Sequence, residues 1–155
     1  VPTNRYAYYL TPRGFAEKSR LTADYLAQSL AVFRRARVEY SALIEECVKA
    51  NKDKIAIVGN TDIVEVVILC SRVWPVTIVG AVITGSSVGN LEEIKLVDHV
   101  SDLEAFDAIL LADLDDPQAA YENLANTLGR NKIYIPDFMN VSKNSPKLKK
   151  ERVAE

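Results

Sequence analysis

At 155 residues, 48% hydrophobic and 26% charged, the chain is long enough for one ordinary core plus an extension, and this balance excludes a disordered polar chain. No apolar run approaches the ~20 residues of a membrane-spanning helix, and no apolar leader opens the chain, so the sequence predicts neither a membrane protein nor a signal peptide. The net charge of −2 hides an asymmetry: residues 1–52 carry nine Lys+Arg and five Asp+Glu, residues 53–140 five and fourteen, and residues 141–155 five and two.

An acidic middle is repelled by nucleic acid, so residues 53–140 are not expected to form a DNA-binding surface. The two cysteines, Cys47 and Cys70, sit inside apolar patterns. They read as reduced core thiols of a cytoplasmic protein rather than as a disulfide framework.

The first predicted element is a short tyrosine-rich strand, Arg5–Leu10. Thr11-Pro12 then has the form of a helix start: a threonine hydroxyl to accept an orphan amide, and a proline where the missing N–H costs nothing. No breaker follows Gly14 until Lys49–Asn51, which predicts a helix from Pro12 to about Ala50, about 58 Å long at 1.5 Å per residue. Ala16, Ala23, Leu26, Leu30, Phe33, Tyr40, Ile44 and Cys47 fall on alternating steps of three and four, with Ser19 and Arg37 at the remaining positions. That is a coiled-coil seam with Arg37 as a polar interruption, and it predicts a homodimer through Leu26, Leu30, Phe33, Tyr40, Ile44 and Cys47.

This opening carries a resemblance. Tyr6-Ala7-Tyr8-Tyr9-Leu10-Thr11-Pro12-Arg13-Gly14 resembles the second wing strand and final helix start of MarR-like winged helix-turn-helix transcription regulators. The continuation from Phe15 to Thr22 is similar to the subgroup associated with exopolysaccharide gene clusters, and the likeness covers about the first fifth of the chain. It implies that residues 1–14 are the remnant of a wing and that the 12–50 helix mediates dimerisation. It also implies that the DNA-reading helix belongs upstream of Val1.

After the polar junction Asn51–Asp53, apolar strands alternate with helices. Strands are predicted at Lys54–Val58, Val76–Ile83, Lys95–Asp98, Asp107–Ala112 and Ile133–Ile135. Helices are predicted at Ile63–Ser71, capped by Thr61 or Asp62, at a short capping-box segment from Ser101 to Glu104, and from Asp115-Asp116-Pro117 to Leu128 with Gly129 as the stop. Such alternation predicts a Rossmann-like parallel sheet of about five strands over 53–140, with helices on both faces, hence an α/β protein. From residue 141 the chain is lysine-rich and expected to be a disordered tail.

Ligands of such sheets bind beyond the carboxyl ends of the strands. The candidate loops are therefore Gly59–Asp62 after strand one, Thr84–Ser87 after strand two, Ala112–Asp115 after strand four and Pro136–Phe138 after strand five, with Gly59, Asn60, Thr61, Asp62, Thr84, Gly85 and Asp113 as the binding residues. A nucleotide or sugar nucleotide is the ligand class considered, but the loop has one glycine where a dinucleotide fingerprint has three, and Asp62 puts a carboxylate where a pyrophosphate would sit. The segment 54–138 resembles the Rossmann-like domains of sugar-nucleotide modifying proteins and CoA-binding-like modules, through Ile78–Val82 and Phe106–Ala112. That likeness implies the same fold, while the second glycine and the acid after strand two are missing.

Asp113, Asp115 and Asp116 together suggest a divalent cation, although Asp116-Pro117 is better explained as a helix cap. His99 has no thiol, serine or second histidine near it and reads as a surface residue. With no nucleophile elbow, phosphate loop or catalytic pairing, the chain is not expected to be an enzyme or to hold a metal. The expectation is the sensing and dimerising part of a transcriptional regulator, with DNA bound through a domain upstream of Val1 and a small-molecule effector at the strand ends. The alternatives are a sugar-nucleotide or CoA/NAD-binding oxidoreductase and a purely structural oligomerisation module.

Overall fold

A computed structural model describes residues 12–84, 91 and 94–143, the side chain of residue 15 excepted. The predicted wing strand, the Thr11 cap, Gly85 and the basic tail from residue 144 lie outside the described residues. The chain divides into two compact units, Val1–Arg35 and Ala36–Glu155.

Helix α1 runs Pro12–Lys49, within one residue of its predicted end. It stops where Asn51 takes a left-handed φ of 58°. The Asn51 amide then donates to Val48 O at 3.1 Å and the Lys52 amide to Cys47 O at 2.8 Å. Those two bonds satisfy carbonyls that the last helical turn leaves open, and asparagine tolerates the backbone this requires. Lys52 then ties the junction down, reaching Asn131 O at 3.1 Å and the Tyr134 hydroxyl at 3.0 Å.

The second unit is built on β1 (Lys54–Gly59), α2 (Thr61–Ser71), β2 (Thr77–Ile83), β3 (Leu96–Val97), β4 (Ala108–Ala112), α3 (Pro117–Leu128) and β5 (Ile133–Tyr134). Its sheet is all-parallel in the order β3-β2-β1-β4-β5. The chain steps outward from β1 to β2 through α2, then outward in the other direction from β4 to β5 through α3. Right-handed crossovers therefore place these helices on opposite faces. Residues 55–58 of β1 and 108–112 of β4 are at most 5% exposed. Burial on both faces is why the two strands read as unbroken apolar runs rather than as alternating ones.

Several boundaries differ from the sequence expectation for local reasons. α2 begins at Thr61, with Asn60 rather than Thr61 or Asp62 at the cap position. The Ser101 capping box does not form: Val100–Asp102 is one 3-10 turn with His99 at its start and no side-chain cap. β3 and β5 are only two residues long, because each lies at a sheet edge and pairs on one side. α3 matches its prediction at both ends. The Asp116 carboxylate accepts the Ala119 amide at 3.1 Å, Pro117 follows, and Gly129 ends the helix at φ 86°, a backbone that suits glycine.

The predicted dimer seam requires a correction. Tyr40, Ile44 and Cys47 are fully buried together with Ala36, inside the chain's own core. They are not available to a second copy. The Cys70 thiol of α2 donates to Arg37 O at 3.7 Å, which sets this stretch of α1 beside α2. The Tyr40 hydroxyl donates to Leu111 O. That carbonyl needs a donor from outside the sheet, because β4–β5 pairing ends at Leu110↔Tyr134 and Pro136 has no N–H. The Tyr40 ring also meets Phe138 edge-on, with centroids 6.2 Å apart, while the Glu39 carboxylate accepts the Phe138 amide at 2.9 Å.

Candidate functional site

The strand order reverses direction at β1 and β4, so the crevice beyond their carboxyl ends is where a doubly wound sheet presents a ligand site. Gly59 closes β1 there. A Cβ on Gly59 would lie 2.0 Å from the carbonyl carbon of Ala112, so the two strand ends touch backbone to backbone.

Asn60 ties the two loops together at the same place. Its amide donates to Ala112 O at 3.0 Å. Its side-chain oxygen accepts the Leu114 amide at 2.6 Å, and its side-chain nitrogen donates to the Asp115 carboxylate at 3.0 Å. A residue that sequence alone suggests as a ligand contact is thus engaged in joining the β1–α2 and β4–α3 loops. This also explains why Asn60 does not cap α2 with its side chain.

Asp113 is 6% exposed, and its Oδ1 accepts the Asp115 amide at 2.9 Å and the Asp116 amide at 3.0 Å. Asp116 caps α3. The three carboxylates therefore have structural roles within one turn, and the described residues contain no cluster of three or more His, Cys, Asp or Glu arranged to hold a metal ion. Thr84 joins the edge from the other side, its amide donating to Gly59 O at 2.9 Å. Its hydroxyl oxygen is buried and has no hydrogen-bond partner among the described residues.

Of the predicted site residues, Gly59, Asn60, Thr61, Asp62, Thr84 and Asp113 are brought to one edge of the sheet, while Gly85 is outside the described residues. Asp62, Asp113, Asp115 and Asp116 make that edge anionic. Their charge opposes a pyrophosphate. His99 is exposed and starts the 3-10 turn.

The residues that sequence reasoning missed are those joining α1 to the sheet. Glu39, Tyr40 and Lys52 each carry a long-range hydrogen bond. Only Tyr40 gave a signal, an aromatic on an apolar stripe, and it pointed outward to a partner instead of inward. Burial pushes the Tyr40 hydroxyl and the Cys70 thiol above their ordinary values. It pushes the Cys47 thiol up to about 11, against the opposing pull of Lys52. Both cysteines are free and buried, and thiols held protonated are poor nucleophiles.

In the first unit, α1 keeps its predicted apolar face uncovered: Leu26 is 53% exposed, Leu30 51% and Phe33 38%. Among the described residues, no helix is long and apolar enough to cross a membrane. Comparison with known protein families, with curated proteins and with solved structures finds no match to this chain.

Proposed function

We propose that the chain is the dimerising and sensing part of a DNA-binding transcriptional regulator, with its DNA-reading segment ahead of Val1. The observation that carries this reading is the stripe of Leu26, Leu30 and Phe33. These residues are large, apolar, on one helix face and uncovered by their own chain, as expected of a surface that a second copy covers. The wing-like stretch Tyr6–Gly14, which runs into the start of that helix in sequence, supplies the link to DNA, by resemblance.

The second unit is the sensing element in this reading. Its strand ends and helix α1 share β4: Asn60 binds the carbonyl of Ala112, and Tyr40 binds that of Leu111. An effector that moved Asn60 would act through Ala112, one residue from the Leu111 carbonyl that Tyr40 binds. Because the half-sites of a two-fold operator lie about 34 Å apart, a small change in dimer geometry alters the fit of both reading heads. An oxidoreductase is less well supported, since Asn60 is engaged in joining the two strand-end loops and the edge carries Asp62, Asp113, Asp115 and Asp116.

Selection from random DNA duplexes, using the protein with any residues its gene encodes ahead of Val1, tests the reading. Enrichment of a two-fold symmetric site with half-sites one turn apart is the expected result, and no enrichment overturns it. Sedimentation at tens of micromolar protein tests the dimer separately, and a monomer there refutes that half.

A further inference from the structure

At the other end of the sheet from the strand-end loops lies a second concavity, of about 380 Å³. It is formed by the segment that leads into β4 and the segment that leads from α3 into β5. That volume falls at the small end of the range of ligand clefts. Val100, Leu103, Phe106 and Leu128 give it an apolar wall, and Glu104 and Lys132 give it two opposite charges.

Neither charge is neutralised by the other. Among the described residues Glu104 has no ion pair or hydrogen bond, and the contact of Lys132 is with the face of the Phe106 ring, its ammonium 5.6 Å from the centroid. A cation–π contact of this kind leaves the ammonium's N–H donors for an anion. A carboxylate and an ammonium lining one apolar cleft call for a ligand that carries the complementary pair on an apolar body.

From this we infer that the cleft binds an apolar α-amino acid. The ligand's ammonium pairs with Glu104, its carboxylate with Lys132, and its side chain lies on Val100, Leu103, Phe106 and Leu128. The single cation and the carboxylate in the same lining disfavour a nucleotide. A fatty acid is disfavoured for the second reason. The inference rests on this cleft alone and is independent of any DNA-binding role.

Titration of the 155-residue protein with L-phenylalanine and L-leucine, followed by NMR chemical shifts, provides the test. Shifts are expected at Leu103, Phe106, Leu128 and Lys132. The single-charge analogues 3-phenylpropionate and phenethylamine are expected to bind at least tenfold more weakly than L-phenylalanine. Lys132→Met and Glu104→Gln should each weaken L-phenylalanine at least tenfold; both side chains are exposed, so an unchanged melting temperature will show that the variants are folded. No shift at millimolar amino acid overturns the inference. Equal binding of the analogues, or wild-type affinity in both variants, overturns it as well.

Discussion

Phe33 and Tyr40 are both aromatic, stand seven residues apart on α1, and fall on the same predicted seam. Phe33 is 38% exposed and Tyr40 is fully buried. The same contrast separates Leu26 and Leu30, each about half exposed, from Ile44 and Cys47, which are fully buried. A three-and-four spacing thus specifies that a helix face is apolar without specifying what it meets. What distinguishes the buried stretch is its polar partners. Glu39 and Tyr40 reach Phe138 and Leu111, and Lys52, just past the helix, reaches Asn131 and Tyr134.

The largest expected difference comes from truncating one aliphatic residue in each stretch. Ile44→Ala removes a fully buried side chain and is expected to cost about 2–5 kcal/mol in urea unfolding at low protein concentration. Leu30→Ala removes a half-exposed one and should stay within about 0.5 kcal/mol under the same conditions. A large loss from Leu30→Ala that is independent of protein concentration would mean that its own chain covers it, and the contrast would fail. A loss seen only in concentrated protein would locate the cover in a second copy.

The tyrosines give a finer comparison. Tyr40→Phe keeps the ring against Phe138 but leaves the Leu111 carbonyl buried without a donor, at a cost of about 1–3 kcal/mol. Tyr25→Phe, at a position 70% exposed, is expected to be neutral. Hydrogen exchange sharpens the result: the Tyr40 variant should speed exchange at the amides of Phe138 and Asn60, which lie on either side of the lost contact. Unchanged exchange there would separate α1 from the strand ends and remove the link on which the sensing mechanism depends.

How far the sequence discloses this protein follows from the range of each signal. β1 and β4 are legible because burial on both faces leaves an uninterrupted apolar run, and α3 because Asp116-Pro117 and Gly129 mark its ends chemically. The parallel sheet follows from the alternation of such runs with helices. Asn60 is legible as a loop residue at the strand end but not as a bridge, since its partners Leu114 and Asp115 lie more than fifty positions away. Tyr40 fails for the same reason: its acceptor is 71 residues distant, and nothing near Tyr40 in sequence reveals a carbonyl orphaned by Pro136. The acidic cluster was visible, but which carboxylate caps a helix and which ties a turn depended on φ, ψ and distance.

The mildest test of the contrast uses pH. The buried stretch of α1 carries Cys47, whose thiol is held up to about 11 in the folded protein from 9.0, and Cys70 on α2, against Arg37 of the same helix, is raised as well. Between about pH 9 and pH 11 the unfolded chain has released the Cys47 proton while the folded chain retains it, so unfolding is coupled to proton loss. The stability that the neutral thiol contributes is therefore complete below pH 9 and falls as pH rises through 11, with a slope of at most about 1.4 kcal/mol per pH unit for each thiol. Urea midpoints measured from pH 8 to pH 11 should fall in that window, and Cys47→Ala should flatten the fall while lowering the plateau. The exposed stretch contributes no such buried group among its described residues, so Leu30→Ala should shift no part of the curve. A fall of the same slope in Cys47→Ala would assign the alkaline loss elsewhere and weaken the case that these turns of α1 are sealed from water.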